Sequence, residues 1–431
     1  MAVRDQFRSF DTTVRLLLVN QLSINLGFYM LMPYLAQHLA GPVGLATWAV
    51  GLVLGMRNFS QQGMFLVGGA LADRFGYKPL IVAGCLLRTI GFGALGFAES
   101  LAALLIASAI TGFAGALFNP AVRAYLAARS GPRRVEAFAL FNIFYQAGIL
   151  LGPVVGFLLL WSSFRAVCLV AAAIFAVLTV LQLRALPAQA AAGQQTDREA
   201  GSQGDPSTAR GAWRAVLLNR RFLRFALIMT ASYVLSFQIY LALPLELRRI
   251  TGEGTATTVG VVAIFAVSGL LTLIGQTRVT AWCRRRRTPV GAMALGLVCL
   301  AAAFLPLLAA TAFDLPRSGA GRALLGIGPA LVAAAVLALG TMLAFPFEMD
   351  AIARLARDRR VATHYGLYNT ICGIGITVGN LATGAVLDAA RNAGLAALPW
   401  LALTGLGLLA AVALRRTEGR MTDAGRTAVR V

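Results

Sequence analysis

The sequence predicts an all-α integral membrane protein of twelve transmembrane helices arranged as two pseudo-symmetric six-helix halves. Three observations predict it. The 431 residues are 58% hydrophobic and 13% charged, with mean hydropathy +0.75, whereas a soluble domain carries roughly 25% charge. The apolar residues fall into twelve runs, each near the roughly 20 residues a membrane span needs. Motifs of the first six runs recur in the last six.

MAVRDQFRSFDTTVR leads into an apolar run about 25 residues long, too long for a signal-peptide core, and so expected to be retained as the first span. The spans follow at 14–38, 46–70, 79–98, 101–125, 137–160, 164–186, 222–247, 257–281, 289–312, 324–348, 362–388 and 396–414. With the N-terminus inside, thirty of the 38 basic residues fall in inside segments and six outside, leaving Arg57 and Arg88 within spans. Cytoplasmic loops hold the excess of Lys and Arg, so both termini are expected in the cytoplasm. The net charge of +21 is therefore topological. The run Arg284, Arg285, Arg286 and Arg287 is an inside anchor, and no nucleic-acid partner is expected.

Between spans six and seven, PAQAAAGQQTDREAGSQGDPSTARG is rich in Ala, Gly, Gln and Ser and has the composition of a flexible linker. The expected organisation is a first half at 1–186, a cytoplasmic linker at 187–221, and a second half with a cytoplasmic tail at 222–431. FYMLMPYL (28–35) matches IYLALPLE (239–246), with Pro33 against Pro244. NIFYQAGILLGPVVG (142–156) matches NTICGIGITVGNLAT (369–383), with Asn142, Gly148 and Gly152 against Asn369, Gly375 and Gly379. Parallel six-span repeats with a midplane site at their interface belong to one large class of secondary transporters.

Other classes lack their chemistry. The five cysteines are scattered without a paired spacing, only two histidines exist, and no phosphate-binding G-x-x-x-x-G-K-[ST] occurs. The chain is expected not to be an enzyme and to use no cofactor or metal.

Between spans two and three stands GGALADRFGYKP. It resembles the G-x-L-A-D-R-x-G-x-K signature of the major facilitator superfamily, carried by Gly69, Leu71, Asp73, Arg74, Gly76 and Lys78. The resemblance implies the major facilitator fold and a gating latch: Asp73 against the N-terminus of span eleven, and Arg74 and Lys78 in a charge network with neighbouring helix ends. GILLGPVVGF in span five is similar to the family's antiporter motif, with Gly148, Gly152, Pro153 and Gly156 present and Phe157 replacing the final glycine. The stretch 54–84 resembles the MdtH-type branch of drug:proton antiporters. The chain departs from the family at Ser108, where an arginine is usual, and at Asn20, where related antiporters often carry a carboxylate.

In that fold, spans one, four, seven and ten line the cavity. Helical spacing groups Gln21, Asn25, Phe28 and Met32 on one face of span one, and Tyr233, Phe237 and Tyr240 fall on span seven. With Asn142, Tyr145, Tyr368 and the intramembrane Arg57 and Arg88, these are the candidate substrate-cavity residues. Arg57 is expected in the outer half of the membrane and Arg88 near the midplane. No acid is deep: Glu246 is the first candidate proton carrier and Glu348, expected toward the inner end of its span, the second. The function implied is export of hydrophobic or amphipathic drugs by proton antiport from a multi-pass, bacterial cytoplasmic membrane location. The partners are the lipid bilayer, a small-molecule substrate and protons, and the protein is expected to be a monomer. The alternative is a facilitator or proton symporter for a single metabolite.

Overall fold

The computed structural model describes residues 3–40, 42–45, 47–160, 163–187, 216–251, 255–311, 320–357 and 359–427. Residues 188–215, most of the expected linker, lie outside the described residues. The rest is helical: α1 (Val3–Arg8), α2 (Thr12–Ala40), α3 (Thr47–Phe75), α4 (Tyr77–Leu95), α5 (Leu101–Ser130), α6 (Arg134–Leu160), α7 (Phe164–Ala185), α8 (Arg220–Ser236), α9 (Ala242–Thr251), α10 (Thr255–Arg286), α11 (Pro289–Ala302), α12 (Leu305–Ala310), α13 (Ala320–Leu355), α14 (Val361–Asn392) and α15 (Leu398–Thr427). Among the described residues, ten stretches are long and apolar enough to cross a membrane. One of them, Leu101–Leu159, covers both α5 and α6, so eleven of the twelve expected spans are represented. The missing one is α3, whose polar run from Arg57 to Gln62 lowers its hydropathy.

The helix ends follow from their sequences. Ser100, Ser163 and Thr288 cap α5, α7 and α11 by accepting from the amides of Ala103, Ala166 and Gly291, which satisfies donors the helix leaves open. The connection from α3 to α4 is the single residue Gly76, at φ 91°. Only glycine takes that conformation without a steric cost.

The chain divides into two compact units, Met1–Leu223 with Ile352–Thr370, and Arg224–Ala351 with Ile371–Val431. In the first unit α2 packs along α6, α3 along α5, and α4 against α5 and α7. In the second, a core built around Leu235, Leu243, Phe304, Leu337 and Trp400 joins α8 to α13 and α15. Large apolar side chains such as Ile106, Val177, Leu227, Leu381 and Leu409 stand exposed on these helices. Water would penalise such surfaces and lipid accepts them.

The repeat survives in the packing, with one insertion. A Cβ on Gly148 would meet Asn25 and one on Gly152 would meet Tyr29, while those on Gly375 and Gly379 would meet Thr230 and Val234. Asn25 and Tyr29 thus correspond to Thr230 and Val234, a register about six residues short of the one that sets Pro33 against Pro244. The extra residues are the 3-10 turn Phe237–Ile239 and its flanks, which break span seven into α8 and α9. Span one is one continuous helix, α2.

Candidate functional site

The charged loop at the end of α3 is tied to the start of α14 within the first unit. Ala362 and Thr363 donate their amides to Asp73 Oδ1 (3.1 Å) and Oδ2 (2.7 Å), and the Thr363 hydroxyl donates to Oδ2 at 2.6 Å. The carboxylate therefore satisfies open donors at a helix N-terminus, where the helix dipole favours an anion. Burial pushes the Asp73 carboxyl up to about 6, against these hydrogen bonds and nearby Arg360, which pull it down. The approach is close because both crossing points are glycines. A Cβ on Gly69 would stand 2.3 Å from the Ala362 carbonyl oxygen, and one on Gly366 2.4 Å from that of Phe65. Thr370 Oγ1 donates to the Gln62 carbonyl at 3.2 Å, and Arg123 Nη1 to Asn369 Oδ1 at 2.5 Å. Among the described residues neither Arg74 nor Lys78 has a carboxylate partner. Arg74 is exposed and its guanidinium lies 5.2 Å from the centre of the Phe75 ring.

The span-five glycines form a stripe against α2. A Cβ on Gly148, Gly152 or Gly156 would come within 2.5, 2.7 or 2.0 Å of α2 atoms. Small residues at this spacing let helices approach closely in lipid. Pro153 lies inside α6, and its own carbonyl accepts from the Tyr34 hydroxyl at 2.6 Å.

Phe28 on α2 gathers the two intramembrane arginines. The guanidinium carbons of Arg57, on α3, and Arg88, on α4, lie 4.3 and 5.1 Å from the centre of its ring. Arg88, buried, also stacks over Phe118 (4.7 Å) and Phe175 (5.3 Å). Arg57, half-buried, donates to Gln61 Oε1 (2.8 Å) and Asn58 Oδ1 (2.9 Å), with Tyr29 and Tyr145 within electrostatic reach. Glycine makes the room: a side chain at Gly112 would strike the Arg57 carbonyl oxygen, and one at Gly115 would meet Arg88 Nη2 at 3.0 Å. On the same α2, Gln21 and Asn25 are buried, Asn25 donating to the Gln21 carbonyl at 2.9 Å, and Met32 is half-buried. Asn142 is buried on α6.

In the second unit the predicted aromatics separate. Phe237 and Tyr240 meet at a tilt with ring centres 5.4 Å apart at the break between α8 and α9, with Phe265 5.1 Å beyond Tyr240. Tyr233 is half-buried on α8, and Tyr368 is fully buried in the part of α14 that belongs to the first unit. Glu246 is held by Arg249 in a two-pronged pair, 2.7 and 2.9 Å. Glu348 is 2% exposed, and Ser232 Oγ donates to its Oε2 at 3.4 Å. Glu348 lies about two turns before the end of α13 at Leu355.

Several of these partners carry no signal in sequence. Thr363, Ser232, Phe118 and Phe175 are ordinary residues of apolar helices until packing brings them to a charge. Gly112 and Gly115 are the nearest to a signal, a small-residue pair in span four.

Comparison with known proteins extends these observations. The Major Facilitator Superfamily family model matches residues 17–380. An uncharacterized MFS-type transporter of Mycobacterium tuberculosis (strain ATCC 25618 / H37Rv) is 50% identical over 432 residues, covering 99% of each chain. The multidrug resistance protein MdtH of Salmonella newport (strain SL254) is 27% identical over 417 residues, 95% of this chain and 96% of its own. Among solved structures, the human organic anion transporter MFSD10 (TETRAN) superposes with a TM-score of 0.65 at 18% identity, over 93% of this chain and 98% of that one, a likeness of fold. With its helical membrane architecture and a match over most of its length, the chain belongs to the major facilitator superfamily.

Proposed function

We propose that the protein exports hydrophobic or amphipathic small molecules, drugs among them, across the bacterial cytoplasmic membrane in exchange for protons. Its halves, 1–186 and 222–431, alternate access to a central site, and the linker 187–221 joins them on the cytoplasmic side. The relative named multidrug resistance protein MdtH supports export, as does the glycine and proline stripe of α6 lying on α2. Asp73, Gly69 and Gly76, with Arg74 and Lys78 at the loop surface, act as the latch.

The observation that carries the coupling is Glu348, a buried carboxyl on α13 in contact with Ser232 on α8. An ionised carboxylate this buried is expensive and a protonated one much less so. Proton uptake and release at Glu348 therefore follow which side of the membrane reaches it. Glu246 ranks second because Arg249 already neutralises it through two hydrogen bonds.

The test is proton flux in proteoliposomes holding a pH gradient, on addition of lipophilic cations, neutral drugs and zwitterions. Wild type and Glu246→Gln are expected to dissipate the gradient with substrate, and Glu348→Gln to lose at least ~100-fold of that flux, the lower end for removal of a proton-transferring group. Substrate movement without proton flux in wild type would remove antiport. Full flux in Glu348→Gln would remove the assignment of the carrier.

A further inference from the structure

The first unit carries a charge problem that the chain does not solve. None of the six expected spans of the first half contains an Asp or Glu, yet two of them contain Arg57 and Arg88. Guanidinium stays protonated in proteins, and a charge at membrane depth ordinarily finds a partner. Among the described residues neither arginine has a carboxylate partner, and the Nε of each has no hydrogen-bond partner. Arg88 is 3% exposed, so its unpartnered Nε is not satisfied by bulk water either.

The two cations have instead converged on one aromatic ring, despite repelling each other. Aromatic faces offset part of the cost of a buried cation, and they do not neutralise it. Phe28, Phe118 and Phe175 wall the charge with apolar surface, and Gly115 leaves the guanidinium of Arg88 unobstructed beside Gln61. A cationic ligand here would bring a third positive charge. A planar carboxylate would meet charge-assisted donors and an aromatic wall together.

We infer that this pair is a subsite for the anionic group of the substrate: the carboxylate of an aromatic amphipath sits between Arg57 and Arg88, its ring body against Phe28. This rests on the export reading and narrows its substrate class to amphipathic anions and to zwitterions bound through their acidic end. Tyr145, within electrostatic reach of Arg57, lies on the edge of the same subsite.

The test uses purified full-length protein and three probes on one scaffold: naphthoxyacetate, naphthoxyacetamide and naphthoxyethyl-trimethylammonium, by equilibrium dialysis in detergent and by uptake into proteoliposomes. Wild type is expected to bind the carboxylate at least ~10-fold tighter than the amide, as a charge-assisted pair does over a neutral one, with the ammonium weakest. Arg57→Gln and Arg88→Gln should each reduce the carboxylate to the affinity of the amide and leave the amide unchanged. Arg57 is half-buried, so Arg57→Gln serves if Arg88→Gln does not fold. Ammonium binding as tight as carboxylate binding, no carboxylate binding at all, or a carboxylate preference that survives both substitutions would overturn the subsite. The two readings fail separately. Transport of the amide and ammonium but not the carboxylate removes the subsite and keeps export, whereas carboxylate-selective binding with no movement of any probe removes export and keeps the subsite.

Discussion

Gly69 and Gly366 are the residues at which the backbones of α3 and α14 touch. Each added Cβ would stand within 2.4 Å of a carbonyl oxygen of the other helix, and a backbone oxygen cannot rotate away as a side chain can. Gly69→Ala and Gly366→Ala are expected to destabilise this crossing by about 1–3 kcal/mol, the usual cost of overpacking. Gly63→Ala, whose Cβ would enter open space on the same helix, should leave stability unchanged. Thermal unfolding of the three variants in detergent checks the contrast, and equal melting temperatures would remove the crossing as a stability determinant. Gly69 was legible because it belongs to a motif. Gly366 was not, since its neighbour Phe65 is about 300 residues away and only folding makes it one.

Docking of the α14 N-terminus on Asp73 ties an element to a proton. Burial raises the docked carboxyl from 3.8 to about 6, so the docked state binds a proton more tightly than a state in which Asp73 is exposed. The stability this contributes is fully present below pH 3.8 and is lost as pH rises through about 6. Wild type is therefore expected to melt at a higher temperature at pH 5 than at pH 7.5, and Asp73→Asn to show a flatter dependence across that window. An unchanged pH profile in Asp73→Asn would contradict it. The break between α8 and α9 belongs to the same scale. It escaped the sequence alignment because Pro33 against Pro244 matches the sequences beyond the insertion and hides the extra residues before it.

At the scale of the whole molecule, the arginine bias makes a topological prediction. In a cysteine-free background, Ser202→Cys in the linker should resist an impermeant maleimide in intact cells and react once they are permeabilised, whereas Ser318→Cys should react in intact cells. The reverse pattern would invert the orientation. Helix number and order were legible because they follow from transfer energetics, which sum locally along the chain. The Asp-Arg-Gly-Lys loop and the glycine stripe were legible because a tight turn and a close helix approach leave their own residue types. The rotation of each helix about its axis was not, since a helix apolar on all sides gives almost no periodic signal of which face is inward. The motif already pointed Asp73 at the start of span eleven, and packing supplied the amides of Ala362 and Thr363; tertiary packing alone brought Arg57 and Arg88 to one ring and put Glu348 against Ser232. Each of those contacts depends on the fit of two distant surfaces, a property that no stretch of either helix carries by itself.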